Sequence, residues 1–224
     1  MSQPAEQPKA KVFLVDDHPL VREHLTALLQ AQADLAVCGE AADAPTALSL
    51  VARLSPDLVI LDLSLKRSSG LELIKQLKEL WPKLPVLVLS MHDEMLYAER
   101  SLRAGALGYI TKEEATANVL SAVRRVLSGQ VYLSERMAGR MMRKMVGGKL
   151  EETSSPLEVL TDRELEVFQM LGRGLGTRQI AAELRVGIKT VESYRARIKD
   201  KLQLADGNQL LQHAIQWVQS GARQ

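Results

Sequence analysis

The sequence predicts an α/β first half, a doubly wound five-stranded parallel sheet, followed by a small all-α second half of four helices. Three observations carry this expectation. Short apolar runs alternate with amphipathic stretches from residue 12 to residue 128, the rhythm of strand and helix units in a parallel sheet. Several of these runs, such as VFLV at 12–15 and LVIL at 58–61, are apolar at every position, which marks strands buried on both faces. Beyond residue 156 the short runs stop, and helical spacing with helix-start signals takes over.

Taken in order, VFLVD at 12–16 is a strand that ends in acid, followed by Asp17, His18 and Pro19. Proline in the first turn and the spacing of Leu20, Leu25, Leu28 and Leu29 then give a helix. LAVCGEA at 35–41 is a second, weaker strand, and Pro45 to Leu54 a helix with apolar Ala47, Leu48 and Val51. LVILD at 58–62 leads into a polar loop, Ser64 to Ser69, then Gly70 and the helical LELIKQLKELW. VLVL at 86–89 is closed by Ser90, and GYIT at 108–111 by Lys112. Helices are expected at 94–104 between these strands and at 116–128 after them.

Position gives these strand ends their meaning. Asp16, Asp17, Asp62, Ser90 and Lys112 all fall at C-terminal strand ends, so they converge on the edge where open α/β sheets bind ligands. Three carboxylates brought together repel unless a hard cation sits among them. Mg²⁺ suits such oxygen ligands. With the cation and Lys112 neutralising phosphoryl oxygens and Ser90 donating a hydrogen bond, Asp62 becomes a nucleophile able to form an acyl phosphate. Any one of these residues alone would be read as a cap, a loop hydroxyl or a surface charge.

Composition narrows the classes. With 46% hydrophobic and 25% charged residues, the chain is globular. Its single cysteine, Cys38, excludes an internal disulfide framework and a cysteine-built zinc site. The opening MSQPAEQPKAK lacks the apolar core of a signal peptide, and no apolar run approaches the roughly 20 residues that span a bilayer. A cytoplasmic protein without membrane contact is expected. A net charge of +2 means that any polyanion site must come from local placement.

The alternation ends at Gly129. Ser134 is expected to cap a short helix with Met137, Met141, Met142 and Met145 along one side and Arg136, Arg140, Arg143 and Lys144 on a solvated remainder. GGKLEETSSP at 147–156 has the composition of a flexible tether. The expected domains are therefore 10–128, a linker at 129–156, and 157–224.

In the second half, TDRE at 161–164 fits a capping box, so a helix starts near 162 and ends near Gly172 or Gly174. Arg178 to Leu184 is a second helix, Gly187 lies in a tight turn, and a third helix runs from about Lys189 to Leu202. Asp206 to Gln209 opens a fourth, with Leu210, Leu211, Ala214, Ile215 and Val218 as its inner face. This is a helix-turn-helix plan. On the third helix Val191, Ile198 and Leu202 form the core stripe; Lys189, Ser193, Ala196 and Asp200 lie opposite. Glu192 and Lys199 flank one side, Arg197 and Lys201 the other. A small polar centre with cations beside it suits insertion in a major groove.

Residues 12–128, with Asp16, Asp17, Asp62, Ser90 and Lys112 in this order, resemble the receiver domain of bacterial two-component response regulators, a flavodoxin-like fold. The resemblance implies that Asp62 takes a phosphoryl group from a phosphohistidine of a sensor histidine kinase, that the Ser64 carbonyl helps hold Mg²⁺, and that Tyr109 is the switch aromatic. Lys66 stands where a proline is common, and Met91 where many receivers carry a small residue. Residues 158–218, with LTDRELEVFQMLGRGLGTRQIA and KTVESYRARIKDKL, are similar to the LuxR-type DNA-binding domain. Together the halves resemble the NarL/FixJ response regulators. This implies a DNA-binding transcriptional regulator and not an enzyme, which becomes a homodimer on activation and binds double-stranded DNA. The candidate DNA contacts are Lys189, Thr190, Glu192, Ser193, Arg195, Ala196, Arg197, Lys199 and Lys201. Glu192 stands where many relatives have lysine, and Gly187 where a capping serine is usual. Two other classes stay open at this point. One is a constitutive DNA-binding protein whose first domain only dimerises or binds a partner. The other is a metal-dependent phosphohydrolase, which would need an acid where Ser64 stands.

Overall fold

The computed structural model describes residues 8–65, 68–146 and 155–221. Lys66 and residues 147–154 of the expected tether lie outside them. The chain divides into two compact units, Met1–Met142 and Arg143–Gln224.

The first unit runs β1 (Ala10–Val15), α1 (Pro19–Gln30), β2 (Leu35–Ala41), α2 (Ala44–Leu54), β3 (Leu58–Leu61), β4 (Ser64–Leu65), β5 (Ser68–Ser69), α3 (Gly70–Leu80), β6 (Val86–Ser90), α4 (Glu94–Ala104), β7 (Gly108–Thr111) and α5 (Lys112–Leu127). Its main sheet has five strands in the order β2-β1-β3-β6-β7, all paired parallel. The unbroken apolar runs have the predicted cause: every residue of β3 and β6 is buried. One face packs Val12, Leu14, Leu58, Ile60, Leu87 and Leu89 against Leu25 and Leu29 of α1 and Val119, Val123 and Val126 of α5. The strand order reverses between β1 and β3, the switch point at which such sheets open a crevice. Asp16 and Asp62 immediately follow those two strands.

Local differences from expectation have identifiable causes. α5 starts at Lys112, four residues earlier than periodicity suggests, because the Thr111 hydroxyl accepts from the Glu114 N–H at 3.3 Å and two glutamates occupy the first turn. Lys112 is thus fixed by a helix start as well as by a strand end. The Ser64–Ser69 loop contains a two-residue antiparallel pairing, Ser64 with Ser69 and Leu65 with Ser68, too short to leave a periodic signature.

After α5 the chain returns along the open edge of β7. The Tyr109 N–H donates to the Tyr132 carbonyl at 2.9 Å, and the Tyr132 N–H to the Leu107 carbonyl at 3.1 Å, which covers that edge. α6 (Glu135–Met145) follows, with the Ser134 hydroxyl accepting from the Met137 N–H at 3.1 Å, the expected cap. Its faces differ from expectation. Met137 and Arg140 are buried, at 1% and 4% exposure, whereas Met142 is 69% exposed. Met142 lies about 140° around the helix from Met137, so the methionines do not form one stripe, and Arg140 is buried as far as its guanidinium Nε and Nη1.

The second unit holds a 3₁₀ turn (Pro156–Val159), α7 (Asp162–Gly172), α8 (Thr177–Leu184), α9 (Ile188–Lys201) and α10 (Gly207–Gly221). The capping box at Thr161 and Glu164 forms as expected: the Thr161 N–H donates to Glu164 Oε2 at 2.8 Å and the Glu164 N–H to Thr161 Oγ1 at 3.3 Å. Leu165, Phe168, Ile180, Val191, Ile198, Leu210 and Ala214 make the core, each at most 1% exposed. Leu202 is half-buried, and Leu211 is 39% exposed, so it does not belong to the inner face expected of it. The inner face of α10 follows Leu210 and Ala214, and Leu211 sits one residue off that stripe. Among the described residues no helix is long and apolar enough to cross a membrane.

Candidate functional site

Of the strand-end residues, Asp16, Asp17, Asp62 and Lys112 come together. Asp16 and Asp62 are 3% and 2% exposed, and Ser90 is fully buried. Lys112 Nζ donates to Asp16 Oδ2 at 2.6 Å and to Asp62 Oδ2 at 2.7 Å, joining residues 96 and 50 positions apart in the chain. Burial works against the ammonium, but the Asp62 charge and the hydrogen bonds to both carboxylates outweigh it, and the Lys112 pKa rises above the usual lysine value. The other Asp62 oxygen, Oδ1, accepts from the Ser64 N–H at 3.1 Å. Gly70 makes this turn possible: a Cβ there would lie 2.5 Å from Leu63 Cα and 2.8 Å from the Asp62 carbonyl oxygen. Only glycine lets α3 start against the backbone that carries Asp62.

Asp16, Asp17, His18 and Asp62 offer ligand atoms within 4.8 Å of one another. Three carboxylates form a hard oxygen set of the kind Mg²⁺ takes. The His18 Nδ1 is committed within the cluster, 2.8 Å from Asp17 Oδ1 and 3.1 Å from Asp16 Oδ1. The donor set therefore fits a divalent magnesium-like cation, with Lys112 holding two of the carboxylates together.

Two histidines join the site, and neither is marked by hydrophobic periodicity. Besides His18, His92 links several parts of the site. Its Nε2 lies 2.9 Å from Ser64 Oγ, its N–H donates to Ser90 Oγ at 3.3 Å, and its carbonyl accepts from the Tyr109 hydroxyl at 2.8 Å. Its ring stacks on Tyr97 at 4.5 Å between centroids. Tyr109 is fully buried, and burial above all pushes its phenol pKa well above the usual value. The spacing Ser-Met-His at 90–92 is the available signal, but a loop histidine carries no periodicity.

α9 presents an exposed face containing Lys189, Thr190, Glu192, Ser193, Ala196 and Arg197. Two expected DNA contacts are otherwise engaged. Lys201 Nζ donates to Glu164 Oε2, itself 2% exposed, at 2.6 Å, which ties α9 to α7. Arg195 Nη1 donates to Thr177 Oγ1 at 2.6 Å, tying α9 to α8. The Ser193 hydroxyl donates to the Lys189 carbonyl at 3.0 Å. The side chains of Lys189, Arg197 and Lys199 form no hydrogen bond or ion pair among the described residues.

A parallel sheet with acids at its switch point, an ammonium bonded to them and a buried hydroxyl at the end of β6, joined in one chain to a helix-turn-helix unit, defines a receiver and DNA-binding regulator. Comparison with known families agrees. Residues 12–124 match the response regulator receiver domain, and residues 158–214 the bacterial regulatory proteins of the luxR family. The chain is 34% identical over 209 residues to the oxygen regulatory protein NreC of Staphylococcus carnosus (strain TM300), covering 92% of this chain and 96% of that one. It is 38% identical over 205 residues to the transcriptional activator protein ExaE of Pseudomonas putida, covering 92% and 95%. Among solved structures, RcsB from Salmonella enterica serovar Typhimurium, bound to promoter rprA in the presence of phosphomimetic BeF3-, superposes with a TM-score of 0.68 at 25% identity, over 92% of this chain and 98% of that one. The chain belongs to the LuxR family of two-component response regulators, a family of DNA-binding transcriptional regulators and not of enzymes.

Proposed function

We propose that this chain is a phosphorylation-switched cytoplasmic regulator, with residues 10–128 as receiver, 129–156 as connector and 157–224 as output domain. The supporting observation is the meeting of Asp16, Asp62 and Lys112 within 2.7 Å contacts at the switch point of the sheet, and Ser90 is buried at the end of β6. Asp62 attacks the phosphorus of a phosphohistidine on a sensor histidine kinase. The new bond is O–P, the P–N bond breaks, and its electron pair returns to the imidazole, which takes up a proton. Mg²⁺, held by Asp16, Asp17, Asp62 and the Ser64 carbonyl, would neutralise charge on the phosphoryl oxygens. Both Asp62 oxygens accept hydrogen bonds at rest, so Lys112 leaves Oδ2 and follows the charge to the phosphoryl group.

Ser90 then turns its hydroxyl toward the phosphoryl group and gives up the His92 N–H. Because His92 also holds Tyr109, the segment between β6 and α4 moves with it. Glu94 opens α4 and accepts from the Ser134 N–H at 3.1 Å, and Tyr132 is bonded to Tyr109. The connector is therefore attached to the elements that move. Dimerisation follows, because one helix-turn-helix reads few base pairs and two supply affinity and half-site spacing. Lys189, Thr190, Glu192, Ser193, Ala196, Arg197 and Lys199 face the DNA.

The test compares wild type with Asp62→Asn, each treated with a small acyl phosphate and MgCl₂. Wild type gains one phosphoryl group by intact mass, sediments as a dimer and binds its DNA more tightly at fixed salt. The variant does none of these. Labelling or tighter DNA binding by Asp62→Asn would refute the proposal.

A further inference from the structure

Glu192 is an anomaly on α9. It is exposed in the N-terminal half of the helix, where the second helix of a helix-turn-helix contacts base edges. Among the described residues its side chain forms no hydrogen bond or ion pair. Arg195, one turn on along the same flank, is held by Thr177 at 2.6 Å. A free carboxylate between free cations, on a surface built to meet a polyanion, is repelled by phosphates on every sequence unless a base compensates it.

The major groove offers hydrogen-bond donors only at the cytosine N4 and adenine N6 amino groups. On adenine the amino group lies beside the N7 acceptor, which repels a second carboxylate oxygen. On the C·G pair the cytosine amino group is met by an acceptor-only side chain without that penalty. The neighbours leave room: Ser193 is folded back on the Lys189 carbonyl at 3.0 Å, and Ala196 is small. From this we infer that Glu192 is a specificity-determining residue that reads the amino group of one cytosine in each half-site. The inference rests on α9 being the helix that enters the major groove.

Selection from a randomised duplex library with the full-length protein, treated with acyl phosphate and MgCl₂, tests it. Wild type enriches a C·G pair at one position of each half-site, preferred by roughly tenfold or more over the other pairs. Glu192→Gln is isosteric, and its carboxamide matches adenine N6 and N7. It shifts that position to A·T and leaves the other selected positions unchanged. Glu192→Ala loses preference at that position alone. Identical selected sequences for wild type and both variants, with affinity raised equally on all DNA, would overturn the inference and leave Glu192 as a mere phosphate repellent. If wild type enriches no sequence, the DNA-binding proposal fails first and this inference with it.

Discussion

Lys112 Nζ stands 2.7 Å from Asp62 Oδ2 and bridges it to Asp16, so one ammonium is shared by two carboxylates that are almost wholly buried and offsets one of their two charges. Replacing Lys112 by methionine keeps the stem and deletes the charge, which costs about 3 kcal/mol at pH 7 by leaving buried acids unpaired. A raised lysine pKa means that this stability is complete below the usual lysine value and is lost as pH rises through the raised one. Urea melts in EDTA should show the loss, and MgCl₂ should recover more stability in Lys112→Met than in wild type. Equal Mg²⁺ stabilisation of both would mean that the cation and the ammonium do not share these carboxylates.

The Ser134 link carries a second prediction. Its hydroxyl caps α6 through the Met137 N–H at 3.1 Å, and its own N–H is held by Glu94. Ser134→Ala should cost about 1 kcal/mol and accelerate amide exchange at Met137 and Ala138 while β3 and β6 stay protected. Ser134→Asp would restore the cap but set a second carboxylate against Glu94, so protection should return only in part.

Much of the receiver was legible because its chemistry follows from topology. A parallel strand buried on both faces announces itself in LVIL, and a polar residue directly after such a strand has only one edge to occupy. That logic brought Asp16, Asp62 and Lys112 to one place without contact information. It missed His92, which lies in a loop where neither period nor strand end fixes a side chain, and it misplaced Arg140 because a charged residue is expected to face water. On α9 the faces were legible, but the partners were not. Lys201 and Lys199 look alike in sequence, and only the packing of α7 against α9 shows that Lys201 is committed to Glu164.

That commitment separates the two lysines experimentally. Lys201→Met strands the Glu164 carboxylate, 2% exposed, and should cost the second unit about 1–2 kcal/mol; the lysine itself is 36% exposed, so water screens part of the pair. Burial raises the Glu164 pKa, but the hydrogen bonds from Lys201 and Thr161 overcome it and the net shift is downward. Its contribution is therefore present above the ordinary glutamate pKa and fades as pH falls through the depressed value. Trp217 fluorescence in a Trp81→Phe background reports this unit. DNA binding gives the contrast: Lys199→Ala should reduce the slope of log K against log salt by about 0.9, and Lys201→Met should leave it unchanged.

Gly172 and Gly174 both look like helix terminators in sequence, and the structure gives them different work. Gly174 has φ of +85°, and a Cβ added there would meet nothing within 4 Å, so alanine encounters only backbone strain, about 1 kcal/mol. Gly172 ends α7 against α10: a Cβ would lie 2.3 Å from the Ala214 carbonyl oxygen and 2.6 Å from Val218 Cγ2. A backbone oxygen cannot rotate aside, so Gly172→Ala must push the two helices apart. The expected cost is about 2–3 kcal/mol, larger than the propensity gain of alanine over glycine, about 1 kcal/mol in a helix interior. Trp217 lies on α10, so its emission should shift in Gly172→Ala and hold in Gly174→Ala. Asparagine at 174, which tolerates the left-handed region, should recover part of the stability lost there. Asparagine at 172 should recover none, since the obstacle is space between helices and not a dihedral angle.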